Sequence, residues 1–349
     1  MYWTLICAYC SALRSRSSRT SRTVESDNKH VVQRLIIDQR IEQTHDASAR
    51  FEYIYQSADD SLLVVEVEQL GLDLILAYTD PAGATQAVNS PLQRDEREVL
   101  VIGGSPGLHS IRIYSEEYTD AGGGHSIVAF HPETPPGARP IRPYALMMRG
   151  NQLNFENHSE QRQVAVDSYR LAAAAWAAAE QPAETAWALM SGAGILYWSM
   201  SDWESAAGLA RQAAALYAGA GDQALFAAAT HLEAAALMEL AGPLDSSPAG
   251  PSLPKKVRHL ENAGSLLDIA LLTQQRLGLA YPAAKTINNM GLLAYYRDDW
   301  DLAEERWKAS SQQFNTLHEW RDEQLSLSNL GVLLLQRGKL VDAVDTFTR

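Results

Sequence analysis

Side chains able to do chemistry are few in this chain, and they are scattered. Its two cysteines, Cys7 and Cys10, form a C-x-x-C pair inside MYWTLICAYCSALR. A structural zinc site needs four ligands, and no second pair or nearby histidine cluster completes this one; a redox pair would need a βαβ setting that is absent here. The pair reads as incidental to a poorly ordered leader. Nine histidines run from His30 to His318, none beside a cysteine or at ligand spacing on one helix. Asp59, Asp60 and Asp80 offer oxygens to calcium but share no loop, so they read as solvated turns. Gly122-Gly123-Gly124-His125 has the glycines of a phosphate loop without its lysine or its helix, and reads as a hairpin loop. No P-loop, G-x-S-x-G, H-E-x-x-H or EF-hand loop occurs. The expectation is a chain with no catalytic residue, no cofactor and no metal. What recurs instead is an amide: Asn289 and Asn329 stand forty residues apart, and an amide offers both a donor and an acceptor.

The elements that position those amides come from a helical period. Ala263, Ala303 and Ala343 stand at forty-residue intervals, and Gly291 and Gly331 precede the last two by twelve. Gly194 and Ala206 repeat the twelve-residue interval, and Ala234 stands forty after Gly194. Two antiparallel helices cross closely where side chains are small, so the spacing predicts helical hairpins with Gly on the first helix facing Ala on the second. Between Ala234 and Ala263 the period swells, where AGPLDSSPAGPSLPKK (241–256) carries four prolines that cannot continue a helix. Four clear hairpins are expected, with a degenerate one merged at the start near Tyr144 to Glu180.

Between about Val31 and His131 the period changes. Seven β-like runs appear (VVQRLII, ARFEYIY, LLVVEVE, LDLILAY, EVLVI, LHSIRIY, HSIVAF), which predicts a sandwich. Phe51, Tyr53 and Tyr55 alternate with Glu52 and Ile54, as strands with one buried face do. Asp80-Pro81-Ala82-Gly83 reads as a tight turn. The expected organisation is a leader over 1–30, a sandwich over 31–131, a proline-rich linker over 132–143 and helical repeats over 144–349.

At 349 residues and 46% hydrophobic content the chain can bury two or more cores, and its net charge of -13 argues against nucleic acid as a partner. Met1 to Leu13 is apolar but too short to span a bilayer, and Arg14, Arg16, Arg19 and Arg22 follow it instead of preceding it. It reads as a disordered or misassigned leader. No other segment reads as a membrane span.

The repeats resemble the tetratricopeptide repeat (TPR), best in Gly194, Tyr197, Ala206 and Ala213, in NNMGLLAYYRDDWDLAEERW, and in SNLGVLLLQRGKLVDAVDTF. The resemblance covers about 200 residues and implies a superhelical α-α solenoid. LDLILAYTDPAG and Pro106 to Ile113 resemble the jelly-roll-like pre-peptidase domain of bacterial secreted peptidases, an accessory module, with His109 where tyrosine is usual. A sandwich followed by such repeats resembles the front half of bacterial CHAT-domain proteins, which end in a caspase-like cysteine peptidase. No cysteine follows Cys10, so that catalytic part is expected elsewhere. The resemblances imply a bacterial cytoplasmic or envelope setting.

In TPR arrays the first helices line the concave surface, with outward positions three residues before and one, four and five after the repeat glycine. That geometry implies Ser191, Ile195, Trp198 and Ser199 in one unit and His231, Ala235, Met238 and Glu239 in the next. Asn288, Leu292, Tyr295 and Tyr296 follow, then Ser328, Val332, Leu335 and Gln336. In related arrays asparagines such as Asn288, Asn289 and Asn329 hold the backbone of an extended peptide; their alternative is to bond across neighbouring helices. Lys285 adds a contact for a carboxylate. VDAVDTFTR stops within a second helix, which would leave Leu340, Val341, Val344 and Phe347 partly uncovered; a truncated product, or capping by self-association, is the expectation. The function expected is a non-enzymatic scaffold binding a peptide or protein on the concave face. The alternatives are the regulatory region of a CHAT-type peptidase, and a glycan-binding sandwich with the repeats as spacer.

Overall fold

The computed structural model describes residues 30–348 except 93, 95, 96, 104, 117–121, 133–140 and 245–251. The leader with Cys7 and Cys10, most of the expected linker and the centre of the proline-rich insertion lie outside the described residues.

Nine strands form two sheets among the described residues: β1 (His30–Arg34), β2 (Ile41–Asp46), β3 (Arg50–Ser57), β4 (Leu63–Leu70), β5 (Ile75–Thr79), β6 (Thr85–Val88), β7 (Arg97–Ile102), β8 (Gly107–Tyr114) and β9 (Gly122–Phe130). One sheet has the order β1-β3-β8-β5-β6 and the other β2-β9-β4-β7; only the β1–β3 pair is parallel. Tyr53 pairs with Ile111 and Phe51 with Ile113, and these inward residues meet Leu63, Val65, Val67, Leu100 and Ile127 of the second sheet in one core. Two strands more than the seven expected are present. β2 (IEQTHD) and β6 (TQAV) are largely polar, so no apolar run announces them. The Asp80 turn closes as its residues dictate: Gly83 sits at φ 88° and its N–H donates to the Asp80 carbonyl at 3.0 Å.

The glycine run is not a hairpin loop. Gly122 to His125 lies within β9, paired with β2 on one side and β4 on the other. A Cβ on Gly124 would stand 2.1 Å from the Gln43 carbonyl oxygen, and one on Gly123 2.6 Å from that of Leu70, so the glycines let three backbones approach.

Strand β4 is buried along nearly its whole length because its sheet is covered on both faces. Val65 and Val67 join the sandwich core, while Val64 joins Val99 in the core of the helical region. Among the described residues that region contains ten α-helices: α1 (Ile141–Glu156), α2 (Arg162–Ala178), α3 (Pro182–Trp198), α4 (Trp203–Ala220), α5 (Gln223–Ala241), α6 (Leu253–Arg276), α7 (Ala280–Tyr296), α8 (Trp300–Thr316), α9 (Trp320–Gln336) and α10 (Leu340–Thr348). They make five antiparallel hairpins, α1 packing on β6 and β7. Asp202, Asp222 and Asp299 cap α4, α5 and α8, each accepting the backbone N–H three residues on.

The repeat glycines do not face alanine. A Cβ on Gly291 would meet the Trp307 ring at 2.7 Å, and one on Gly331 the Phe347 ring at 2.5 Å; both rings lie four residues beyond the repeat alanines, Ala303 and Ala343, which are themselves wholly buried. Trp307 Nε1 donates to the Asn288 carbonyl at 3.1 Å, laying its ring across α7. Glycine is thus needed to admit a ring, and the alanine one turn earlier keeps the helices close.

Helix α5 has the length and hydropathy, 1.3, of a membrane span, but 61% of that window is buried inside the fold, as in a core helix. In α10, Leu340, Val341, Val344 and Phe347 are exposed.

Candidate interaction face

The first helices of hairpins two to five, α3, α5, α7 and α9, present one face, and the chain's own sandwich touches it. The loop between β6 and β7 is anchored at its base: Ser90 N–H donates to buried Glu98 at 2.5 Å, Asn151 of α1 donates to the other Glu98 oxygen at 3.0 Å, and the Tyr169 hydroxyl donates to Asn151 at 2.8 Å. From there Pro91 and Leu92 settle on Gly194 of α3, where an added Cβ would meet Leu92 at 2.7 Å. Arg97 lies 4.3 Å above the Trp187 ring of α3. Arg94 reaches further. Its guanidinium donates to both carboxylate oxygens of Glu319, the residue before α9, and lies 4.6 Å above the ring of Tyr281 in α7. Arg94 is 9% exposed and Glu319 4%.

Along the row the helices are tied by side chains. His231 of α5 receives the Asn289 amide on Nε2 at 3.0 Å and meets Thr286 Oγ1 through Nδ1 at 2.9 Å; Thr286 donates onward to Gln274 at 2.8 Å. Burial, with Lys285 nearby, brings the His231 pKa down to about 3. The neutral ring fits its partners, because Nε2 must accept from Asn289 while Nδ1 donates to Thr286. Asn288 is 8% exposed, and its side-chain oxygen accepts from Ser326 at 3.1 Å and Asn329 at 3.4 Å. Tyr296 is 4% exposed. So the amides Asn288, Asn289 and Asn329, with His231, bond across neighbouring helices, and Tyr296 packs inward; Asn289, Asn329 and His231 remain half-buried.

The other predicted positions fall differently. Trp198 is 63% exposed against the edge of Tyr197, Leu335 is 44% exposed, and half-buried Tyr295 accepts from Gln336 at 2.8 Å. All three stand four residues after the repeat glycine, toward the C-terminal ends of their helices. Met238, at the matching place in α5, is buried. Its neighbour Glu239 is half-buried, and burial pushes its carboxyl up to about 7. Lys285 stands 5.5 Å from the Tyr281 ring, and Ser328 donates to the Gln324 carbonyl of its own helix. Arg94, Tyr281 and Glu319 were not among the predicted residues, and no periodic signal marks them.

Among the described residues no group of histidine, cysteine and carboxylate side chains could hold a metal. In the sandwich His125 bonds Tyr53 at 2.7 Å and His45 at 2.9 Å, and burial, with the nearby His45, lowers its pKa to about 3.

No protein-family model matches the sequence, and neither does any curated protein. Among solved structures, the helical region is similar to a Rap protein complexed with Competence and Sporulation Factor, at 22% identity and TM-score 0.48 over 60% of this chain and 52% of that one. It is also similar to TPR-like repeats of a putative kinesin light chain from Podosopora anserina, at 15% identity and TM-score 0.46 over 59% of this chain and 93% of that one. The sandwich is similar to the pre-peptidase C-terminal domain of a collagenase from Bacillus anthracis, at 12% identity and TM-score 0.23 over 30% of this chain and 97% of that one.

Proposed function

We propose that the protein is a non-enzymatic scaffold that holds a peptide or protein partner on the concave face of its helical hairpins. The observation that carries this reading is the row of exposed or half-exposed apolar side chains at one register position, Trp198, Tyr295 and Leu335, on a face otherwise tied shut by its own polar bonds. Large apolar groups held at a repeated spacing on a concave surface suit an extended partner, and aromatic residues contribute most of the affinity at such contacts. Partner contact falls on this strip, flanked by Ser328 and Asn329 on α9 and Lys285 on α7. His231, Asn288, Asn289 and Tyr296 support it from beneath.

The sandwich reads as a jelly-roll-like accessory domain. With β1 set aside, the orders β2-β9-β4-β7 and β3-β8-β5-β6 support this, since successive strands alternate between sheets except at β5–β6. The CHAT-linked alternative rests on domain order alone.

The test uses the full chain as bait, comparing wild type with Trp198→Ala plus Tyr295→Ala. The expected result is a partner captured by wild type and lost by the double variant while its helical circular dichroism is unchanged and it still melts cooperatively. Equal capture by both baits overturns the assignment of the strip.

A further inference from the structure

We propose that the cleft between the N-terminal ends of α7 and α9 is a guanidinium-binding site, filled in this structure by the chain's own Arg94, and that a partner enters the array by presenting an arginine that displaces it. This rests on the concave-face reading and adds to it both the chemistry of the partner and an internal competitor.

The site is built for the group it holds. Glu319 meets the guanidinium with both carboxylate oxygens, the planar two-point match that arginine makes and lysine does not. Tyr281 covers its flat face at 4.6 Å, and that ring is fixed from behind by its hydroxyl bond to Asp322 at 3.1 Å and by the Phe314 ring at 5.9 Å. Carboxylate and ring belong to the repeats. The arginine does not: it arrives on a loop of the sandwich, 225 residues away from Glu319 in sequence.

Leu92 rests on the second hairpin, and Arg94 meets Tyr281 of the fourth and Glu319 of the fifth, an apolar anchor and a basic one on the same row. The strip of Trp198, Tyr295 and Leu335 is left uncovered beside it. Exchange with an incoming arginine replaces like with like: Glu319 keeps an ion pair, Tyr281 keeps a cation, and Arg94 returns to water. Because a buried ion pair contributes little net stability over its desolvation, the contest is settled by what the incoming segment adds on the open strip. The net charge of -13 favours approach of a basic segment.

The test measures binding of a fluorescent peptide with the loop sequence NSPLQRDER, residues 89–97, and of a control with alanine for its first arginine. Wild type, Arg94→Ala and the double variant Arg94→Ala with Glu319→Gln are compared as full chains. The expected result is that Arg94→Ala binds the peptide at least ~10-fold tighter than wild type, that the control loses this gain, and that Glu319→Gln abolishes it. An Arg94→Ala protein that melts cooperatively yet binds no better than wild type, or binds both peptides equally, overturns the proposal. Should Arg94→Ala not fold, hydrogen exchange on wild type decides: excess peptide must speed exchange of the amides around Leu92 and Arg94. Peptide bound at the Trp198 strip with no change there overturns the displacement while leaving the scaffold reading intact.

Discussion

The two ends of the first helices in this array are built from opposite materials. From their N-termini to mid-helix the face is polar and tied: Arg94 clasps Glu319 just before α9, and His231, Asn288 and Asn289, at the middles of α5 and α7, are joined to the neighbouring hairpins. Toward their C-termini it is open and largely apolar, with Trp198 and Leu335 exposed and Glu239 in surroundings that disfavour its charge. One end spends its side chains on holding hairpins in register and on binding the sandwich. The other leaves them available. A scaffold needs both, because a groove that is to hold a partner must first be held in shape.

The sharpest way to break this contrast is at the clasp. Removing one partner of a buried ion pair leaves the other charge less well compensated, so Arg94→Ala is expected to cost about 3 kcal/mol in chemical denaturation. Arg94→Ala with Glu319→Ala should cost less than the single change, since the buried carboxylate is gone as well. If the single variant melts as wild type does, the covered end is covered in name only.

Next in size is Glu239, at the open end. Burial pushes its carboxyl from the ordinary 4.5 up to about 7 in the folded state, so the folded state binds the proton more tightly than the unfolded one. The group's contribution is most favourable below pH 4.5 and is lost as pH rises through 4.5 to 7. Such shifts convert at about 1.4 kcal/mol per unit, and residual solvent access brings the expected gain from Glu239→Gln to about 2 kcal/mol at pH 8, falling to near zero at pH 4. The acid limb belongs to the covered end: His231 is held neutral, so stability falls as pH drops from about 6.5 toward 3. Urea titrations at several pH values separate the two.

The Asn289 amide is a smaller test. Asn289→Ala strands Nε2 of His231 and is expected to cost about 1 kcal/mol at pH 7, read as a shift in denaturant midpoint without a change in slope. A cost near zero would return Asn289 to the role of a free peptide-binding amide.

Much of this array is legible in the sequence and much of its site is not, for physical reasons. Small residues at a forty-residue period report where helices cross, a local demand repeated along the chain, and the last four hairpins follow from it; the first, near Tyr144 to Glu180, is legible only as a degenerate unit. The partner of each small residue is less local: Gly291 was read as facing Ala303, but the group needing room is the Trp307 ring one turn on. Gly122 to Gly124 misled because a glycine run looks like a turn locally, while the crowding that selects it comes from Gln43 and Leu70 on other strands. His231 and Asn289 were both marked as candidates, but their bond to each other spans 58 residues and shows only once the hairpins are stacked. Arg94 and Glu319 carry no signal at all. Arg94 lies outside the repeats, Glu319 shares its place before a first helix with the apolar Leu279, and a single charge on a loop is ordinary until a carboxylate arrives from 225 residues away.

The smallest expected effect on stability is also the most informative about function. Trp198 is 63% exposed, so Trp198→Ala should move the melting free energy by no more than about 0.5 kcal/mol. Tyr295→Ala loses the Gln336 bond and an aromatic contact with Trp307 at 5.9 Å, and should cost about 1 kcal/mol. A large exposed side chain that folds the protein little better than alanine, held at the register position it shares with Tyr295 and Leu335, has its worth outside folding. If Trp198→Ala instead costs 3 kcal/mol or more, the open end is a packing surface like the covered one, and the contrast between the two ends fails where the scaffold reading most needs it.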